Sequence, residues 1–283
     1  MGILKIVATI GVLWIFIPSS SIAQLSTKDD VFEELPEHLF YQVKQLDQFI
    51  DRFNSNENTE GIAINPSKTS AEDRERILAS LFNLEMLEIP AFKEKAVRFI
   101  KEVTGSRISN LSFYDKNYYA TIDCQVLYKN KKELLTLTLV LEGSANNGAH
   151  WVIKGAKADF LGGLNNNAGT DKDHKIIPPT NHEVEFIALL NIFNKEKDLN
   201  SYLSESYGKN QLDNLDQILK SGNLKMLSTA TPTYHFLQIP GWIFTVDFFN
   251  RKSKNSGLLI SNLDKVDQLD VNRYKTEKLF IIQ

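Results

Sequence analysis

Leu111 to Ala158 reads LSFYDKNYYATIDCQVLYKNKKELLTLTLVLEGSANNGAHWVIKGAKA, and the fold turns on how this stretch is read. Tyr118, Ala120, Ile122, Cys124, Val126 and Tyr128 share one parity, while Thr121, Asp123 and Gln125 share the other. Successive side chains of a strand point to opposite faces, so this alternation marks a strand with one buried face. Leu135, Leu137, Leu139 and Leu141 repeat it, with Thr136 and Thr138 opposite. Lys129-Asn130-Lys131-Lys132 suits a hairpin turn, as does Gly143 to Gly148. The stretch predicts an antiparallel meander with one apolar face.

Upstream, Leu39, Val43, Leu46, Ile50 and Phe53 fall at helical spacing, predicting an amphipathic helix over about Glu37 to Phe53. Asn54 to Thr69 is polar and reads as loop. Ser70-x-x-Asp73 resembles a capping box before Ile77, Leu78, Leu81 and Phe82. Pro90 suits a first helical position ahead of Phe92, Ala96, Phe99 and Val103, and Gly105 suits the end of that helix.

Downstream, Leu161 to Thr180 is rich in Gly, Asn, Asp and Pro and predicts a linker. Thr180-x-x-Glu183 reads as a second capping box, before Phe186, Leu189, Leu190 and Phe193. Short helices follow around Leu199 to Leu203 and Leu212 to Leu219, the latter closed by Gly222. Strands are predicted at Leu224–Ala230, Tyr234–Ile239, Trp242–Phe249 and Leu258–Leu263, with a Pro240-Gly241 turn. Each half therefore runs helices first, then a meander. Helices gathered before antiparallel strands give an α+β fold. The expected organisation is a domain over 24–160, a linker over 161–180 and a second α+β domain over 181–283.

The chain has 283 residues, 42% of them hydrophobic and 24% charged, an ordinary balance for a globular protein. Its net charge of −3 gives no bulk electrostatic reason for a nucleic-acid or anionic-membrane partner. Residues 1–23 read as a signal peptide: Lys5, an apolar run to Pro18, then Ser21-Ile22-Ala23 ahead of cleavage before Gln24. The run is shorter than the roughly 20 residues that span a bilayer. No integral span is expected after cleavage, and the expected location is the periplasm or the exterior of a Gram-negative bacterium. No cysteine follows the apolar run to carry an acyl anchor. Cys124, the single cysteine, lies on the apolar parity of its strand and reads as a core residue.

Helices followed by a long meander, with Trp151-Val152-Ile153 opening its last strand, resemble the NTF2-like (cystatin-like) superfamily over about Leu35 to Phe160. That resemblance implies a strongly bent sheet wrapped on helices as a cone with a pocket. It also implies a second half that is a reduced copy. His235 to Asn250 and Ser256 to Asn262 are similar to uncharacterised exported proteins of Gram-negative gut anaerobes. The superfamily includes isomerases, dehydratases and binding modules, and none of its catalytic motifs maps onto numbered positions here.

His38, His150, His174, His182 and His235 form no HExxH, HxH or Cys/His cluster, so no metal and no cofactor is expected. No Gly-x-Ser-x-Gly elbow and no phosphate-binding glycine loop occurs. Catalytic residues are accordingly not assigned. The candidate ligand contacts are Asp123 and Tyr128 on the first long strand, His150 and Trp151 on the third, and His235 and Trp242 near the Pro240-Gly241 turn. The favoured function is an exported non-catalytic binding module for a small molecule, glycan or protein. The alternatives are an isomerase- or dehydratase-type enzyme with an NTF2-like pocket, and a carbohydrate-binding accessory protein with exposed tryptophans.

Overall fold

The computed structural model describes residues 32, 42–105, 109–115, 117–144, 148–162, 177, 186–207, 211–252 and 255–281. The expected signal peptide and the expected Thr180/Glu183 capping box lie outside them, as does nearly all of the expected linker.

Three helices come first: α1 (Leu46–Phe53), α2 (Ala71–Ala79) and α3 (Pro90–Thr104). α1 starts later than the periodicity suggests, because Val43 is extended and bridges Gly257 instead of joining the helix. Ser70 caps α2 by accepting from the Asp73 amide at 3.0 Å. Pro90 opens α3 at its first turn, where its missing N–H costs nothing. Gly105 is not left-handed; its φ is −67°.

The meander follows as β1 (Tyr118–Tyr128), β2 (Lys131–Ser144) and β3 (Gly148–Lys157). Tyr128 pairs with Lys131, leaving a two-residue turn whose Lys129 and Asn130 both have positive φ, 47° and 66°. That is a type I′ turn, whose twist matches the flanking strands. Then come α4 (Ile187–Asn191), continued by a π-helical turn, and α5 (Gln211–Lys220). The chain ends with β4 (Leu224–Thr229), β5 (Thr233–Phe236), β6 (Trp242–Phe249), β7 (Gly257–Lys265) and α6 (Gln268–Glu277). The Trp242 amide bonds to the Ile239 carbonyl at 3.0 Å, and Gly241 has φ +77°, as a type II corner requires.

The fold is α+β, built on one seven-stranded antiparallel sheet of order β3-β2-β1-β5-β6-β7. β4 pairs with the other end of β1, so β4 and β5 run along one edge of that strand, interrupted at Thr231-Pro232. The sheet thus crosses the expected boundary at 161–180, and a single core cluster takes residues from both halves. The reading of two separately cored domains does not hold for these residues. β1 has two edges, and the second is satisfied by the strands that the sequence assigned to another domain.

The helices also cross over. α3 packs on β7, Phe53 stacks on Phe244 at 5.9 Å, and Phe99 meets Trp242 edge-on at 5.3 Å. α5 packs on β3 as well as β4, and Leu203 bridges Ile153. Helices from the first half therefore cover strands of the second, and helices from the second half reach strands of the first. Both outer strands are partly covered. β7 is bridged by Val43 and Phe82, and β3 by Ile177 and Leu203. Covered edges leave fewer unpaired backbone groups for another chain to join.

The opposite face of the sheet carries α6 and the residues after it. Leu279 and Ile281 pack on Tyr119, Val140 and Val152 as a small second cluster. α6 has no fully buried residue, which is why hydrophobic periodicity does not reveal it. Asp267 and Asp270 cap it reciprocally.

Candidate functional site

Between the helices and the sheet, the space is filled. Phe49, Phe53, Phe99, Tyr118, Phe236, Phe244 and Trp242 form a continuous aromatic stack there, with Phe236 and Phe244 only 5.0 Å apart and nearly parallel. Such packing takes the volume that a ligand would need.

The best-defined recess among the described residues that touches a candidate residue lies on the opposite face. It is a cleft of about 730 Å³ where the β2–β3 hairpin meets the turn at Ser204 to Ser206. Glu142 on β2 and His150 on β3 are cross-strand partners in its wall. Tyr114 and Tyr119 supply aromatic surface, and Glu205 stands at the exposed turn.

A polar fastener closes one side. Lys154 directs its ammonium to Ser204 Oγ at 3.4 Å, to Ser206 Oγ at 2.7 Å and to the Ser206 carbonyl. Ser204 Oγ donates to Glu142 Oε1 at 2.5 Å. All three lysine donors are engaged within the chain, so Lys154 pins the turn to β3. Burial lowers the Lys154 pKa, and the nearby Glu142 charge opposes that shift. Ser204 is 0% exposed, so no substrate reaches its hydroxyl as a nucleophile. What remains open to a ligand is the second Glu142 oxygen, the His150 ring, Glu205 and Tyr114; Tyr119 is buried, with Lys275 over its ring.

Of the six candidate contacts, His150 alone lines this cleft. Asp123 is exposed further along the face and accepts the Thr136 hydroxyl at 2.6 Å. Tyr128 points to the helix side and stacks on Phe160 at 4.6 Å. Trp151 is 3% exposed and packs on Tyr118. Trp242 is 2% exposed, covered by Phe99 of α3.

His235 is 7% exposed beneath α6. Its Nε2 lies 2.8 Å from Thr121 Oγ1 and its Nδ1 2.7 Å from the Tyr274 hydroxyl. Burial pushes its pKa down to about 4, against a smaller upward pull from Asp247. The ring is therefore neutral at pH 7, and it ties the sheet to α6. Cys124 is buried, and burial, with help from Asp123, pushes its thiol up to about 12, which makes it inert.

Glu142, Lys154, Ser204 and Tyr119 escape sequence reasoning. Glu142 does follow the polar parity of β2, but nothing local links it to a serine 62 positions later. Among the described residues no group of three or more His, Cys, Asp or Glu is placed to hold a metal ion. No helix there is long and apolar enough to cross a membrane. Compared with known proteins, the chain matches no family model, no curated protein and no solved structure.

Proposed function

We propose that the chain is an exported, non-catalytic binding module that takes a small amine-bearing ligand in the cleft of Glu142, His150 and Tyr114. One observation carries the reading. The inner side of the sheet is packed with stacked aromatics, while the outer side keeps a ligand-sized cleft. Two carboxylates and the Tyr114 ring line that cleft, and its one lysine is consumed internally. Such walls suit a protonated amine, which carboxylates and aromatic faces both attract.

Export is part of the proposal and rests on residues 1–23. Kinship with the NTF2-like superfamily is also proposed. It is supported by the order of helices then meander, taken twice, and the filled interior departs from an open cone. A glycan-binding role through tryptophans loses support, since Trp151 and Trp242 are both buried.

The test is an NMR titration of the protein with two panels, small amines and small carboxylates. Amines are expected to shift the amide resonances of Tyr114 and His150, and Glu142→Gln is expected to abolish that binding. Shifts confined to the inner core, or binding of carboxylates alone, would reject the reading. The acid–base enzyme remains as a second reading because Glu142 and His150 face one another in the cleft. A bound amine recovered unchanged from deuterated buffer, with no deuterium incorporated, decides against it.

A further inference from the structure

On the outer face, α6 and the residues after it cover Tyr119, Val140 and Val152, and nothing described covers the end towards the β1–β2 turn. There Leu127 lies between Lys132 on β2 and Lys225 on β4, its direct cross-strand partners. The next pair on the same face sets Leu134 opposite Gln125. Leu134 is 57% exposed and Leu227, beside the β4 bulge, is 38% exposed. Leu227 and Lys225 alternate with buried Leu224 and Met226, so both point away from the core. The Lys129 amide bonds to the Asn223 carbonyl at 3.0 Å, drawing the β1–β2 turn against the α5–β4 turn, while the Lys129 ammonium lies over the Tyr128 ring on the helix side.

We propose that this leucine and lysine face docks the protein on an anionic phospholipid surface. Charge complementarity carries the choice. Lys132 and Lys225 flank Leu127 at one end of a chain whose net charge is −3, and neither forms an ion pair among the described residues. Asp123, the carboxylate further along this face, is occupied by the Thr136 hydroxyl. Basic residues near a membrane surface are drawn to its negative potential, and apolar side chains beside them enter the interface. The leucines project from a sheet face rather than line a groove, which suits a bilayer better than a partner helix. The bulk charge alone hides this, because it averages a basic end with an acidic remainder. The proposal is independent of the cleft.

The experiment is co-sedimentation of the full chain with phosphatidylcholine vesicles, with and without phosphatidylglycerol. Phosphatidylglycerol is expected to add binding that weakens as salt rises. Lys132→Glu with Lys225→Glu should lower that added binding about tenfold or more. Leu134→Asp with Leu227→Asp should lower it as well. Lys44→Glu with Lys68→Glu, a charge-matched pair of exposed lysines elsewhere, should leave it unchanged. Circular dichroism of each variant shows that the fold is kept. No gain from phosphatidylglycerol, or equal losses in the control pair and the patch pair, would overturn the proposal. So would capture of poly-glutamate without vesicle binding, which would assign the face to an acidic protein.

Discussion

The indole N–H of Trp242, on β6, donates to the Glu102 carboxylate on α3 at 2.8 Å, across 140 positions of sequence. Lys265 bonds the same carboxylate oxygen and lies over the indole ring at 4.6 Å. The last helix of the first half is thereby fastened to the sheet of the second half, and the largest buried side chain sits at the joint.

Trp242→Ala is expected to cost about 3–5 kcal/mol, as buried aromatic truncations do. It removes the contacts to Phe99 and leaves Glu102 without its indole donor. Equilibrium unfolding in urea measures the loss. A value under about 1 kcal/mol, typical of surface changes, would contradict the packing described.

Acid should weaken this joint. The Lys265 hydrogen bond above all holds the Glu102 carboxyl down to about 2; burial is the next effect and opposes it, and bonds from Trp242 and Arg98 add to the lowering. A folded pKa below the unfolded one means stability that is fully present above the ordinary carboxylate range. That stability is lost as pH falls towards about 2. Glu102 is partly exposed, so solvent screening trims the effect and added salt should trim it further. Glu102→Gln should flatten the acid limb of the stability curve, and an unchanged limb would show that other carboxylates govern it.

A second pH window comes from His235. Its folded pKa, about 4, lies below the ordinary histidine value of 6.5. The unfolded chain binds the proton first, so stability falls as pH drops from near 6.5 to about 4 and then levels. His235→Gln should remove that slope. Hydrogen exchange in α6 should rise over the same window in the wild type, because the Tyr274 contact is one of the ties to that helix.

Residues 24–160 and 181–283, expressed separately, should each fail to give a cooperative unfolding transition. Each would expose the strand faces that the other's helices cover, along with one edge of β1 or of β4 and β5. Co-expression should restore a complex with the far-ultraviolet spectrum of the whole chain. Two independently folding halves would refute the crossed packing.

Gly257→Ala should destabilise by about 2 kcal/mol or more, since the position has φ +101° and a Cβ would strike the Val43 backbone. The same change should pull Val43 off β7 and open that edge. Aggregation that rises along with the loss of stability is the expected companion, and a neutral variant would mean that Val43 does not seal the edge.

Much of this architecture is legible in the sequence. The parity of Tyr118 to Tyr128, the Lys129-Asn130 turn, the Ser70 cap and the Pro240-Gly241 corner are all where their chemistry demands. Each depends on backbone preference or on which side of an element is apolar, and both are local. His150, a candidate because it stands beside a tryptophan at the opening of a strand, lies in the wall of the cleft.

The sequence by itself determined most of the elements, their faces and their α+β class. Only the tertiary structure decided what lies beside what. Both edges of β1 offer the same backbone donors and acceptors, so nothing in Tyr118 to Tyr128 says that Thr233 to Phe236 will pair there. α6 escaped because a helix with no fully buried residue, held to the sheet by Tyr274 and Lys275, needs no apolar stripe. The cleft escaped because Tyr114, Glu142, Lys154 and Ser204 meet only once β3 and the turn after it are in place. Local chemistry specifies strands and helices, whereas a site is a coincidence of distant residues in space, and the crossed packing of the two halves creates it.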